Sequence, residues 1–244
     1  KEEDLHGIGI LRVKSTSFSQ KHFLGRTLNY LTYFIFSFFA SFKLKKPDLV
    51  ITLTDPPIIT LIGLLVSHRF DVPLIISVQD LFPEAAKGLG ECQSKIINFF
   101  LDYITRFCLK KADHIIALGK IMRKRIIEKG IEENKISIIS NWADCENIFP
   151  VAKKNPFSLK YNIADSFVIM YIGNIGASAG LETVVYSADL LKNYQDILFV
   201  FVGEGIMKDN LIELANGRNL ENVKFIPNQF KDMLSYAFSS ADIS

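Results

Sequence analysis

The chain has 244 residues, enough for two compact domains of about 100–150 residues each. With 49% hydrophobic and 22% charged residues it can build sizeable cores, which excludes a disordered chain. A net charge of +2 selects no charged partner, and three cysteines (Cys92, Cys108, Cys145) form no even set and no metal-ligand spacing, which suits a reducing compartment.

In chain order, residues 1–13 predict a charged start and a short strand over 8–13. No signal-peptide pattern opens the chain, and its last five residues read as the start of another strand, so both ends read as cuts in a longer protein. A helix-like run follows over 22–44, centred on LNYLTYFIFSFFASF (28–42). Fifteen helical residues span about 22 Å, short of the ~30 Å hydrocarbon core of a bilayer. The run also carries Asn29, Tyr30 and Tyr33, so it reads as a buried helix and not as a transmembrane span. Between Leu5 and Pro47 stand seven basic residues (Arg12, Lys14, Lys21, Arg26, Lys43, Lys45, Lys46) and no acidic one. Basic residues bracketing an aromatic helix attract anionic headgroups by about 1 kcal/mol per charge, which makes an anionic membrane surface an expected partner.

Residues 48–53 (DLVITL) form a strand stopped by Asp55-Pro56-Pro57, with Pro57 placed to open a helix that ends near Arg69. Strands over 73–78, 113–118 and 135–139 alternate with helices over 93–111 and 119–129. That alternation predicts mostly parallel sheets with helices on both faces. The pattern lapses over 141–164, the expected domain boundary. Beyond it, FVIMYI (167–172) and ILFVFV (197–202) read as buried strands on either side of a helix. Its apolar positions Leu181, Val184, Val185, Ala188 and Leu191 recur at three- and four-residue spacing. A helix near 207–217, a strand over 222–226 and a helix over 230–239 complete the pattern. The expected organisation is an α/β domain over 1–145, a linker over 146–164 and a second α/β domain over 165–244, with substrates meeting in a cleft between facing strand ends.

Two places carry chemistry. Gly173, Gly176 and Gly180 stand between a strand and a helix, where a bare backbone and the positive end of the helix favour an anion, most often phosphate. An ordinary tight turn is the competing reading. A second turn, Gly203-Glu204-Gly205, ends the next strand and raises the odds of a nucleotide site. No Lys or Arg lies between Gly173 and Gly180, and Lys208 is the closest cation by topology, or else a solvated helix residue. The other place is the loop QDLFPE (79–84), after the 73–78 strand. Asp80 and Glu84 there are placed to hydrogen-bond a hydroxylated acceptor or move a proton, or to cap the next segment, and Asp55 has the same two readings. No D-x-D stretch occurs, so the usual carboxylate device for a divalent metal on a sugar diphosphate is missing and no metal is expected. Four histidines (His6, His22, His68, His114) form no pair at metal spacing, and no nucleic-acid module is present. The basic run Lys120, Arg123, Lys124, Arg125 and Lys129 reads as a solvated face or as a surface for a lipid phosphate.

The combination TLTDPP (52–57), QDLFPEAAKGLG (79–90), ISNWAD (139–144), YIGNIGASAGLETVVYSA (171–188), FVFVGEG (199–205) and NVKFIPNQ (222–229) resembles the family 4 glycosyltransferases, nearest to the bacterial O-antigen and colanic-acid group that includes N-acetyl-L-fucosamine transferases. The resemblance covers nearly the whole chain in order. It implies a GT-B architecture of two Rossmann-like domains, and transfer of a sugar from a nucleotide-diphosphate sugar to a lipid-linked saccharide in bacterial surface polysaccharide synthesis. It implies retention of anomeric configuration, no metal and no other cofactor, and a cytoplasmic place at the inner face of the plasma membrane. Carried over by position, Gly173, Asn174, Ile175 and Gly176 would meet the donor diphosphate with Lys208 nearby, and Ile226 and Pro227 would border the base. Asp80 would be the catalytic group, with Pro56, Gln79 and Glu84 on the acceptor side. Asn174 and Ala179 stand where many relatives carry an Arg and a Lys, and Gln79 stands where relatives often have a basic residue. The family's N-terminal glycine loop and paired-glutamate motif have no counterpart in the sequence. Other readings stay open: a nucleotide-sugar epimerase of the same architecture, an NAD-binding dehydrogenase using Glu204, and a non-catalytic nucleotide-binding fragment. The first turn, G-x-x-G-x-x-x-G, departs from the dinucleotide G-x-G-x-x-G.

Overall fold

The computed structural model describes residues 2–19, 23–88 and 94–244. Lys21, His22, Cys92 and Gln93, named above, lie outside the described residues. The chain divides into two units, Lys1–Asn141 and Trp142–Ser244.

The first unit opens with an antiparallel hairpin of β1 (Glu2–Leu5) and β2 (Ile8–Leu11). Only the second strand is visible in the sequence, because the run Glu2-Glu3-Asp4 is made of residues that strands disfavour. Next comes α1 (Phe23–Ser41), where the expectation of a buried helix fails. None of its described side chains is buried, and Leu24 and Phe39 are 74% and 63% exposed. The remaining elements are β3 (Val50–Leu53), α2 (Thr60–Phe70), β4 (Leu74–Val78), α3 (Glu84–Gly88), α4 (Lys95–Lys111), β5 (His114–Ala117), α5 (Lys120–Glu128) and β6 (Ile136–Ile138). The strands form one parallel sheet in the order β3-β4-β5-β6. β4 alternates cleanly, with Leu74, Ile76 and Val78 wholly buried beside Ile115, Ala117 and Ile126. Ser94 starts α4 by accepting a hydrogen bond from the Ile97 amide. Among the described residues, no helix is long and apolar enough to cross a membrane.

The second unit begins at Trp142, ahead of the segment expected as a linker (146–164), which therefore lies wholly within it. There α6 (Pro156–Lys160) is opened by a capping box, in which Asn155 accepts from the Phe157 and Ser158 amides. The sequence hides this helix because at five residues it is too short to show a periodic apolar face. β7 (Phe167–Ile172), α7 (Glu182–Leu190), β8 (Ile197–Val202), α8 (Lys208–Gly217), β9 (Val223–Ile226) and α9 (Leu234–Ser239) follow. The sheet is parallel in the order β7-β8-β9, and Ile243 makes a single parallel bridge to Ile169 on the open side of β7. β8 is apolar throughout because both its faces are covered. Val200 and Val202 join one core with Phe157, Val168, Met170 and Ile226, while Phe201 joins the other with Ile175, Leu181, Val185 and Leu211. Each such side chain contributes about 1.5–3 kcal/mol on burial. Both parallel sheets therefore present their carboxyl ends as one edge of loops, where each unit gathers its polar residues.

Candidate functional site

At the carboxyl edge of the second unit the turns after β7 and β8 interlock. The Gly173 amide donates to the Val202 carbonyl (3.0 Å), the Ile175 amide to Glu204 (2.9 Å), and the Met207 amide to Ile175 (3.1 Å). Gly203 takes φ of +154°, and a Cβ there would stand 1.9 Å from the Gly173 carbonyl oxygen. A Cβ at Gly205 would stand 2.2 Å from the Ile175 carbonyl oxygen. The glycines of the second turn thus exist first to let two backbones touch.

This stitching corrects part of the sequence reading. The expected phosphate cradle of backbone amides over Gly173, Asn174, Ile175 and Gly176 is largely spent, since Gly176 also donates internally, to Asn174 (2.8 Å). The Asn174 amide alone of these four has no backbone acceptor among the described residues. Ile175 does not face a ligand: its side chain is wholly buried, and both its amide and its carbonyl hold the neighbouring turn. Ile226 is likewise 1% exposed, in the other core, and its carbonyl accepts from the Gly203 amide. Pro227, next along, is exposed at the edge. Lys208 is at the second turn as the topology requires, but its ammonium is bound to Glu204 (2.7 Å). An anion arriving there must compete with that carboxylate, and a ribose seeking Glu204 must compete with the lysine.

At the edge of the first unit the organiser is Thr54, 7% exposed. Its hydroxyl donates to the Asp80 carbonyl (2.9 Å) and accepts from the Gln79 and Asp80 amides (3.1 Å each). One side chain therefore joins the end of β3 to the end of β4 and leaves the Asp80 side chain exposed at the rim. Gln79 is half-buried, with its carboxamide bridging Ser77 and Asn141. Pro56 is buried behind Asp55, through a cis peptide bond. Asp55 is exposed as a residue, yet burial around its carboxyl pushes the pKa above the usual carboxylate range. The Asp80 charge adds to that push and a hydrogen bond with Tyr30 opposes it. Asp55 and Asp80 therefore share one electrostatic site.

Glu84 is not part of it. Its Oε1 pairs with Lys129 (2.6 Å), which is 3% exposed and also holds Asp102 (2.7 Å). Its Oε2 is shut off from solvent without a partner among the described residues. Glu84 thus ties α3 to α4 and α5, and its expected contact with an acceptor is replaced by a supporting role. Thr54 and Asn141 are the residues that sequence reasoning passed over. Both stand in the motifs TLTDPP and ISNWAD, but only the pairing of β3 with β4 and β5 with β6 shows what they reach. Among the described residues, Cys108 is a buried free thiol and Cys145 an exposed one, and no three His, Cys, Asp or Glu side chains gather as a metal site.

A family model described as "Glycosyl transferase 4-like domain" matches residues 4–142, and one described as "Glycosyl transferases group 1" matches residues 154–244. The chain belongs to the glycosyl transferase 4-like family. This glycosyl transferase 4-like chain is 28% identical over 231 residues to "Putative colanic acid biosynthesis glycosyl transferase WcaI" of Escherichia coli (strain K12), covering 90% of the chain and 56% of that protein. It is 26% identical over 180 residues to "Probable glycosyltransferase WbjE" of Pseudomonas aeruginosa, covering 73% of the chain and 45% of that protein. The glycosyl transferase 4-like chain thus spans about half the length of the relatives it matches. Its α/β fold with parallel sheets is that of GT-B glycosyltransferases, and it superposes on the crystal structure of Anabaena Alr3699/HepE in complex with UDP with a TM-score of 0.66 at 15% identity, over 92% of this chain and 58% of that one.

Proposed function

We propose that the chain is the part of a bacterial glycosyltransferase that moves a sugar from a nucleotide-diphosphate sugar to a lipid-linked saccharide in surface polysaccharide synthesis. The observation that carries this reading is the matching of two glycosyltransferase family models, in order, to the two α/β units. A uridine diphosphate sugar is the donor we favour, since Alr3699/HepE, of the same fold, is described in complex with UDP and with UDP-glucose. In this reading the Gly173–Gly176 turn approaches the diphosphate through Asn174 and Gly176, and Lys208 answers its charge on release from Glu204. Pro227 borders the base. Asp80 accepts a hydrogen bond from the acceptor hydroxyl and takes its proton as that oxygen bonds to the anomeric carbon. The bond from the anomeric carbon to the diphosphate breaks, the nucleoside diphosphate leaving with the electron pair; Gln79 and Pro56 shape the approach. Retention, which the family resemblance implies, and independence of metal are both part of the proposal; the sequence's lack of a D-x-D device supports the second.

Calorimetric titration tests the donor assignment: UDP should bind more tightly than NAD, and tighter NAD binding would return the dehydrogenase reading. In the same experiment Asp80→Ala should keep UDP affinity and, in a transfer assay, lose at least about a hundredfold in rate, the low end for an acid-base group. Equal loss of UDP affinity would remove Asp80 from the acceptor side.

We further propose peripheral contact with the inner face of the plasma membrane. It is supported by the exposed apolar residues of α1, flanked by Lys43, Lys45 and Lys46, and by Ile96, Phe99 and Tyr103 of α4, each more than 60% exposed. Sedimentation with anionic vesicles should be salt-sensitive, and no sedimentation at low salt would end that proposal.

A further inference from the structure

One pocket of the first unit shares only Asp55 and Pro56 with the residues read above as acceptor contacts. It has a volume of about 490 Å3, within the ~300–1,000 Å3 range of small-molecule sites. Its walls come from the segment before α1, from the first turns of α1, and from the Asp55-Pro56 loop, and they include Thr16, Phe18, Asn29, Tyr30, Tyr33 and Asp55.

The pocket is built, because one side chain fixes two of its walls together. The carboxamide oxygen of Asn29 accepts from the Thr16 hydroxyl (2.9 Å) and from the Phe18 amide (3.0 Å), while its nitrogen donates to the Phe18 carbonyl (3.0 Å). The Thr16 amide also donates to the Thr32 hydroxyl one turn on (3.1 Å). Tyr30 hydrogen-bonds Asp55 and so ties α1 to the loop after β3. Such cross-bracing lowers the ordering cost of binding.

The chemistry of the lining selects the ligand. It combines one carboxylate, several hydroxyls and three aromatic rings, and no Lys or Arg is among the residues that line it. A phosphate or an anionic headgroup would meet the Asp55 charge with no cation among the described lining residues to offset it. A wholly apolar ligand would cover the Asp55 carboxylate while offering it no hydrogen bond in exchange for water. A sugar ring satisfies both kinds of surface: its hydroxyls donate to a carboxylate, and its C–H faces pack on aromatic rings. Asp55 also lies within electrostatic reach of Asp80, at the rim where transfer is placed above.

We propose that this pocket binds an uncharged saccharide, seating the glycan end of the acceptor between α1 and the Asp55-Pro56 loop. The inference rests on the transferase reading, and it assigns Asn29, Tyr30, Tyr33 and Asp55 to glycan recognition. Saturation-transfer NMR on the 244-residue chain tests it, with the methyl glycosides of glucose, galactose, fucose and N-acetylglucosamine as probes and UDP titrated in parallel. At least one methyl glycoside should receive saturation. Asp55→Asn and Tyr33→Phe, both nearly isosteric, should weaken its binding, the former by about tenfold or more as a charged hydrogen-bond acceptor is lost. Melting temperature and UDP affinity should stay near the wild type. Binding of none of the glycosides overturns the inference, as does binding indifferent to both substitutions or displaced by UDP or inorganic phosphate. Glycoside failure with UDP bound leaves the transferase reading standing, whereas UDP failure with a glycoside bound removes the donor assignment and leaves the pocket.

Discussion

Thr54 shows how much one hydroxyl can settle. With three hydrogen bonds at one buried oxygen, it sets the path of the Gln79-Asp80 backbone and hence where the Asp80 carboxylate stands. Replacement by valine keeps the shape and removes the bonds, leaving two amides and a carbonyl short of a partner. Thr54→Val should therefore cost about 1–3 kcal/mol in urea denaturation. It should also depress transfer more than UDP binding, because the donor turns belong to the other unit. Wild-type stability in this variant would mean that water replaces the hydroxyl and that the loop is held elsewhere. Ile175 makes the complementary point. In sequence it sits in the middle of a glycine turn and looks like a ligand contact, yet its side chain is core and its backbone is a rivet between two turns.

At the scale of elements, the Lys129 cluster matters most. It links α3, which follows the loop bearing Asp80, to α4 through Asp102 and to the end of α5 through Lys129 itself. Arg106 completes it, donating to Asp102 and to the Lys129 carbonyl (2.9 Å). Only Lys129 is buried in this cluster, at 3% exposed, while Glu84 and Asp102 keep 39% and 30% of their side chains in solvent, so water offsets part of what removing the lysine would cost. Lys129→Met should cost about 1–3 kcal/mol in chemical denaturation, since the carboxylates left behind are partly solvated. The double variant Lys129→Met with Glu84→Gln should recover part of that loss. A Lys129→Met protein as stable as the wild type would show that the cluster is solvated and that Glu84 is available to a ligand after all.

Across the whole molecule, charge pairing shapes the response to acid. At Asp102 and Asp242 desolvation works against the charged form, but Lys129 with Arg106 and Lys153 with the Val168 amide outweigh it and hold both pKa values below the ordinary 3.8. As pH falls, such carboxylates take up protons in the unfolded chain first, so the stability they contribute is present above the ordinary value and drains away below it. Asp55, shifted the other way, works weakly against folding as it ionises. The net expectation is a decline in urea stability that sets in at about pH 4 and continues as the pH falls further. Asp242→Asn should flatten that decline, and an unchanged slope would mean that other carboxylates carry the acid response.

Much of this was legible along the chain. Apolar runs such as FVIMYI and ILFVFV, alternating with helices of regular spacing, determined a parallel α/β architecture with glycine turns at strand ends, because periodicity and backbone freedom are local properties. The sites of Asp80 and the Gly173 turn followed from the same rule, that ligands gather at the carboxyl ends of parallel strands. The acid-rich strand β1, the helix inside the supposed linker and the exposure of α1 were not legible, since each depends on what lies opposite in space. Tertiary structure alone decided that Glu84 faces Lys129, that Ile175 and Ile226 are core, that Lys208 is held by Glu204, and that Asn29 braces a pocket. The sequence by itself determined which residues carry chemistry and on which strands they ride. Which of them stand free to meet a ligand was decided by long-range pairing of side chains and carbonyls, which no local pattern encodes.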